Sequence, residues 1–439
     1  MGFFFRAAPF VLVLSTLALT TRSAHAYGFM IRHGYGGCTT CHTDPSGGET
    51  LTRYGRAQSD LVLRMRYGTA TVSAAPAPAT ESFDGFDDFG DSPKAEKPPA
   101  PAPAPEAEDA AGPASSSGFL WGAFAEPDFM ALGGSLRSAS TLKNGDFRWF
   151  PMQADLYGQL AFGSLRVGGS VGLVKTRAGA PHGRAALVTR GDDGQLNMVS
   201  RTHWLGLDLD SRRELLLRAG RLNVPFGLRI SEHVMWVREA THTDRESDQQ
   251  HGVALAYSGE KLRGELMAIA GNYQLSPDRY RERGYSLYLE AFASSSLALG
   301  ASHLFTVAQA DRYSLDQGET LRGAHGLFTR WSPLRPLVVM AEANALHLSR
   351  RDLGYVGFVQ LDYELTQGLH LGATGEALDA GRVRGAGSDQ SKSPGAGEPR
   401  LGGWLTASWF FLPHCDLRVD AIARQNEAFT LLSQLHVFL

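Results

Sequence analysis

From about residue 128 to the last residues, apolar and polar positions alternate with a period of two. In "YVGFVQLDYEL", Tyr355, Gly357, Val359, Leu361, Tyr363 and Leu365 fall on one side, with Gln360, Asp362 and Glu364 on the other. In "CDLRVDAIAR", Leu417, Val419, Ala421 and Ala423 oppose Asp416, Arg418, Asp420 and Arg424. Successive side chains of a strand point to opposite faces, so the pattern predicts strands with one apolar and one polar face. Charge on the second face places them between lipid and a wet interior. A soluble β-sandwich would turn its apolar face inward and carry fewer, shorter repeats.

Sixteen such segments are predicted, near residues 128–141, 148–162, 164–175, 201–210, 213–222, 251–258, 260–271, 283–294, 296–306, 319–331, 335–346, 353–364, 368–379, 401–412, 414–424 and 427–439. Very short connections, at Gly163, Ser211 and Ser295, alternate with long ones at 176–200, 223–250 and 380–400. Short turns at one end, long loops at the other and an even strand count predict an antiparallel transmembrane barrel with both chain ends on the periplasmic side. The short connection near Asn426 fits this least well.

The alternation puts Gln153, Asp155, Arg166, Arg218, Glu290, Glu342, Asp416, Arg418 and Asp420 in the lumen. The stretch from Gly220 to Gly252 carries Glu232, His233, Glu239, His242, Asp244, Glu246, Asp248 and His251. It reads either as a polar surface loop or as an inward constriction whose oxygen and imidazole groups hold a divalent metal. Cys415, beside a predicted turn, reads as a packed or lipid-facing thiol.

The first 26 residues follow a different rule. Arg6, an apolar run from Ala7 to Leu19 and "AHA" at Ala24–Ala26 form a secretory signal, with the mature chain starting at Tyr27. The run is too short to span a membrane, which takes about 20 apolar residues. Composition agrees with an exported barrel: 50 glycines in 439 residues, 10% aromatics and a net charge of only −3, a balance that argues against a nucleic-acid partner.

Candidate chemistry is concentrated in "GGCTTCHTDPSGG". Cys38 and Cys41 followed directly by His42 match the Cys-x-x-Cys-His attachment signature of one covalent c-type haem. Two thiols reach the two vinyl groups of one porphyrin, and the adjacent imidazole becomes the proximal iron ligand. A Cys38–Cys41 disulfide gives the histidine no role, and zinc would need a further ligand pair at fixed spacing. For the distal iron position, His33 and Met65 are the candidates, with Met30, water or nothing as alternatives. Residues 52–68 predict a short helix whose Tyr54, Ala57, Leu61 and Met65 share a face.

The predicted organisation is therefore a signal peptide (1–26), a small α/coil monohaem module (27–72), a disordered Pro/Ala/acidic linker (73–118) and a mostly-β outer-membrane barrel (119–439). The linker is too poor in apolar residues to fold and acts as a tether.

This order resembles the fused outer-membrane cytochrome–porin family, whose members include iron oxidisers. The resemblance is sharpest at Cys38, Cys41 and His42, while "GRLNVPFG" is similar to stretches in phosphate-selective and related porins. It implies single-electron transfer between an extracellular donor or acceptor, iron among them, and periplasmic c-type cytochromes. Two other readings stay open: a diffusion porin whose haem module senses redox state or gates the pore, and a peroxidase-like enzyme with an open iron position. The sequence leaves the oligomeric state open.

Overall fold

The computed structural model describes residues 28–35, 37–39, 41–65, 129–175, 186–189, 196–230, 232–271, 279–311, 317–384 and 397–438. The predicted signal peptide and linker lie outside the described residues. The N-terminal segment and the barrel belong to one compact unit.

The strands are β1 (Met130–Lys143), β2 (Asp146–Phe162), β3 (Leu165–Lys175), β4 (Leu196–Val199), β5 (His203–Asp208), β6 (Leu215–Leu222), β7 (Gln250–Ser258), β8 (Leu262–Gly271), β9 (Arg283–Ser294), β10 (Leu297–Ala310), β11 (Gln317–Leu334), β12 (Leu337–Leu348), β13 (Gly354–Thr366), β14 (Leu369–Asp379), β15 (Arg400–Leu412), β16 (Cys415–Arg424) and β17 (Thr430–Phe438). Apart from β4 and β5, each pairs antiparallel with its sequence neighbours, and β1 pairs with β17 from Ser135↔Phe438 to Lys143↔Thr430, which closes the sheet. β3 pairs with β4 along one half and with β5 along the other. These two short strands thus share one barrel position, and the wall has the sixteen predicted.

Residues 200–202 interrupt that position. Ser170 on β3 caps the break: its Oγ accepts from the amides of Arg201 and Thr202, both at 3.0 Å. The ladder bonds lost at the break are thereby replaced by side-chain ones.

Closure removes the edges that a sheet would expose in lipid. On β13, Tyr355, Val359, Leu361, Tyr363 and Leu365 are exposed, whereas Val356, Phe358 and Gln360 are buried. Every charge predicted for the lumen faces it, including Asp155, Arg218, Glu290, Glu342 and Asp420, all at most 3% exposed. Cys415 is a free, half-buried thiol. The connection near Asn426 is only residues 425–429, and Asn426 takes φ +63° there. Across the seam, Asn144 and Gly145 close the β1–β2 hairpin with φ +54° and +84°, the left-handed pair of a two-residue turn.

The lumen is filled from both ends. From the loop end, residues 223–249 fold inward, the constriction alternative. Gly227, at φ +58°, turns the chain where a side chain would collide with the Glu342 carboxylate. That carboxylate accepts from the Leu228 amide at 2.7 Å and the Arg238 guanidinium at 2.8 Å. Helix α2 (Trp236–Thr241) follows, its Trp236 amide donating to Glu376 at 2.9 Å and its ring centroid 5.0 and 4.8 Å from the guanidiniums of Arg400 and Arg424.

From the turn end the N-terminal segment enters. It comprises a 3-10 turn (Gly28–His33), a loop carrying the cysteines, and α1 (Arg53–Gln58), which widens into a π-turn at Ser59–Leu63. Thr52 Oγ1 caps α1 by accepting from the Gly55 amide at 3.0 Å. The buried face of this helix is Gly55, Ser59 and Leu63, whereas Tyr54 and Leu61 are exposed. The predicted Tyr54/Leu61 face is therefore corrected. Gly55 lies so close to the Cys41 carbonyl that no side chain fits between them, and this fixes which face turns inward.

Candidate functional site

Asp44 enters the lumen on the loop behind the cysteines and meets Arg218, whose Nη1 donates to it at 2.5 Å while Nη2 donates to Glu265 at 2.5 Å. Glu49 accepts from Thr202 Oγ1 at 2.5 Å, so the interruption between β4 and β5 is the seat of this loop. Asn223 donates to Ser46 Oγ at 3.3 Å. Arg32 pairs with Asp362 and Glu364 on β13. Nearer the turns, the Met65 amide donates to the Phe410 carbonyl at 2.9 Å, and Gln367 donates to the carbonyls of Leu61 and Arg64. Met30 and Leu63 pack against Phe410 and Phe438.

These anchors put Cys38, Cys41 and His42 inside the barrel, each at most 8% exposed. The Cys38 sulfur accepts from Arg263 Nη1 at 2.7 Å. Burial raises its thiol, but the Arg263 and Arg229 guanidiniums outweigh burial and bring it below the usual thiol range. Burial pushes Cys41 up to about 11, with Cys38 adding to the effect. Burial also pushes His42 down to about 4, Arg245 adding to the effect, which keeps its imidazole neutral and able to ligate. Its Nδ1 is buried without a hydrogen-bond partner.

Cys41 and His42 line a cavity of about 140 Å³ where the two fillings meet. The N-terminal segment contributes Met30, Gly47, Gly48 and Leu63; the inward loop contributes Arg229, His233, Asp244 and Arg245; and Ser135, Tyr157 and His436 come from the wall. Of the donors a covalent haem needs, the Cys41 thiol and the neutral His42 imidazole line this cavity, with Gly47, Gly48, Arg229 and Arg245 beside them, whereas Cys38 does not line it and its sulfur is held by Arg263. The enclosed volume is close to one that holds a benzene. A porphyrin is larger than this space, so haem attachment requires the lining of the cavity to move apart.

The distal candidates separate. His33 lies 3.8 Å from Glu364 and lines another pocket with Tyr35, Val62 and Arg335. Met65 accepts through sulfur from Trp409 Nε1 at 3.0 Å at the turn-end mouth. Neither lines the His42 cavity, whereas Met30 does. Two histidines that sequence reasoning did not assign to this site also line it. His233 is held between Asp244 and Arg137, both at 2.9 Å, and His436 between Asp416 at 3.1 Å and Ser135 at 3.0 Å. Only the pairing of strand registers brings His436 here, and no local motif announces it. The divalent-metal alternative for the inward loop finds no preassembled site: among the described residues no three His, Cys, Asp or Glu side chains cluster at metal-ligand spacing.

The barrel is similar to solved outer-membrane porins. A loop-deleted OmpT of Vibrio cholerae matches over 71% of this chain and 99% of its own, at TM-score 0.51 and 12% identity. The same organism's outer-membrane-expressed OmpT matches over 72% and 99%, at 0.51 and 11%. OmpF of Salmonella typhi, solved with daunomycin, matches over 71% and 97%, at 0.51 and 10%. At these identities the likeness is one of fold. No protein-family model and no curated protein matches the chain.

Proposed function

We propose that the chain is an outer-membrane electron-transfer protein, in which one covalent c-type haem held inside a porin-like barrel passes single electrons between an extracellular donor or acceptor and periplasmic c-type cytochromes. Iron is the candidate extracellular partner. The observation that carries this reading is His42, a buried neutral imidazole with an unpartnered Nδ1, beside Cys41 and a cavity in the lumen.

Bound there, haem iron supplies one-electron redox chemistry. Cys38 and Cys41 would hold the ring by thioether bonds, and His42 would ligate the iron. Arg137, Arg229 and Arg245, which line the same cavity, would balance the propionates. The Arg218–Asp44 and Thr202–Glu49 contacts hold the segment in register with the wall, and the apolar group of Met30, Leu63, Phe410 and Phe438 excludes water from the turn-end side. A hydrocarbon core of about 30 Å is an insulator, and a lumenal centre divides that gap.

Electron passage is favoured over solute passage because the inward loop and the N-terminal segment occupy the lumen from its two ends. The second reading, a diffusion porin gated by its haem module, draws on the porin-like fold and requires the N-terminal segment to leave the lumen.

The test is the full chain reconstituted in sealed vesicles containing a reductant, with a ferric chelate outside. Ferric reduction that depends on Cys38, Cys41 and His42 is expected. Solute leakage without electron flux would favour the gated porin.

A further inference from the structure

We propose that His436, on the strand that closes the barrel, is the second axial ligand of the haem iron, opposite His42, and that Asp416 is the positioning residue that prepares it. This assignment rests on the haem reading above and fills the distal position that His33 and Met65 leave empty.

Strand register builds the group. Asp416 on β16, His436 on β17 and Arg137 on β1 are successive partners across the wall, and Ser135 is on the same face of β1. His436 Nδ1 lies 3.1 Å from Asp416 Oδ1, and its Nε2 lies 3.0 Å from Ser135 Oγ. A carboxylate only accepts, so the Asp416 contact puts the proton of the neutral ring on Nδ1 and leaves the lone pair on Nε2. Metal-ligating histidines are held in this way: the second nitrogen donates to a carboxylate, which fixes the tautomer and makes the ligating nitrogen more basic.

The lone pair is released without stranding a partner. Ser135 donates its hydroxyl hydrogen to Nε2, and the same oxygen lies 3.4 Å from Gln153 Oε1. The Gln153 amide nitrogen is engaged with Asp155, Tyr157 and Glu246, which holds that oxygen in place. When Nε2 is taken, the hydroxyl turns its hydrogen to Gln153, and no proton is gained or lost.

The other two residues of the cavity lack this device. His233 has its Nδ1 on Asp244 at 2.9 Å, but its Nε2 faces Arg137 Nη1, also at 2.9 Å. A guanidinium has no rotatable hydrogen to turn away, so ligation through that nitrogen would leave a charged donor without its acceptor. Met30 is packed in the apolar group of Leu63, Phe410 and Phe438.

The assignment has a structural consequence. Iron held between His42 and His436 joins the N-terminal segment to β17, which pairs with β1 at the closure of the sheet. The segment is then fixed in the lumen by the metal as well as by Arg218 and Asp44, and the loaded chain keeps its lumen filled.

The test uses the full chain, expressed in a host competent for haem attachment and read by near-infrared and electron paramagnetic resonance spectra of the ferric form. The native protein should show the low-spin signature of two imidazoles. His436→Gly should lose it, and added imidazole should restore it, a rescue that a merely structural histidine would not allow. Asp416→Asn should keep two imidazole ligands and shift the ferric-to-ferrous ratio at a fixed potential about tenfold toward ferrous, because the ligand loses its anionic acceptor. Heat-modifiable mobility on a gel verifies that each variant has folded. A native signature other than two imidazoles, its persistence in His436→Gly, or its loss in His233→Gly would overturn the assignment while leaving the haem in place. A native chain without haem would overturn the electron-transfer reading and the assignment together.

Discussion

Arg218 on β6 holds Asp44 of the N-terminal segment through one nitrogen and Glu265 of β8 through another, each at 2.5 Å. One guanidinium therefore ties the segment that carries the cysteines to two strands, β6 and β8, on either side of β7. Both carboxylates and the guanidinium are almost wholly buried, so each depends on the others for its counter-charge.

Asp44→Asn keeps the shape and removes the charge. Hydrogen bonds to charged groups contribute about 1.5–3 kcal/mol, so the segment should open roughly 10- to 100-fold more often. Hydrogen exchange of amides 41–65 should accelerate by that factor while the barrel amides stay unchanged. Unaltered protection of the segment would remove Arg218 as its anchor.

Glu342 and Glu376 hold the inward loop by accepting from the amides of Leu228 and Trp236. Changing both to Ala leaves those amides without their acceptors and Arg238 without its carboxylate, which favours release of the loop toward the loop end. Single-channel conductance in planar bilayers should be small for the native chain and several-fold larger for the double variant. Equal conductances would contradict a lumen closed by this loop.

The strand pattern was legible because lipid on one side and charge on the other impose a strict period of two. The predicted strand near 283–294 coincides with β9 for that reason. The strand predicted near 201–210 is β5 alone, whereas β4 (Leu196–Val199) forms within the predicted loop 176–200, and the two are separated at Thr202, whose partner Glu49 lies 153 residues away. The inward course of residues 223–249 was open on sequence alone, since a polar loop in water and a polar loop in a charged lumen have the same composition. Gly227 against Glu342 decides it, and that contact appears only when β6 and β12 are opposed. Cys38, Cys41 and His42 were legible as a local motif, whereas the cavity around them is assembled from three distant parts of the chain.

Among the candidate distal groups, Met30, His233 and His436 line the cavity with His42, and His33 and Met65 do not. Replacement of His33 or Met65 by Ala should leave the near-infrared haem spectrum as in the native protein, and replacement of one of the three cavity residues should change it. A spectral change on losing His33 would mean that the segment rearranges on haem attachment.

Leu361 lies on the lipid face of β13, one position from lumenal Gln360, which donates to Glu232 at 3.2 Å. Leu361→Arg should cost about 2–4 kcal/mol, as for a cation set against mid-membrane lipid. Gln360→Arg, beside Glu232, should cost far less. Urea unfolding in lipid vesicles measures both, and equal losses would contradict the assignment of faces.

The central claim, a c-type haem carried inside the barrel, is tested most directly by the pyridine haemochrome of the purified outer-membrane protein, expressed in a host competent for haem attachment. One haem per chain is expected, lost when Cys38 and Cys41 are changed to Ala while the barrel still assembles. A colourless native barrel from that host would contradict the account.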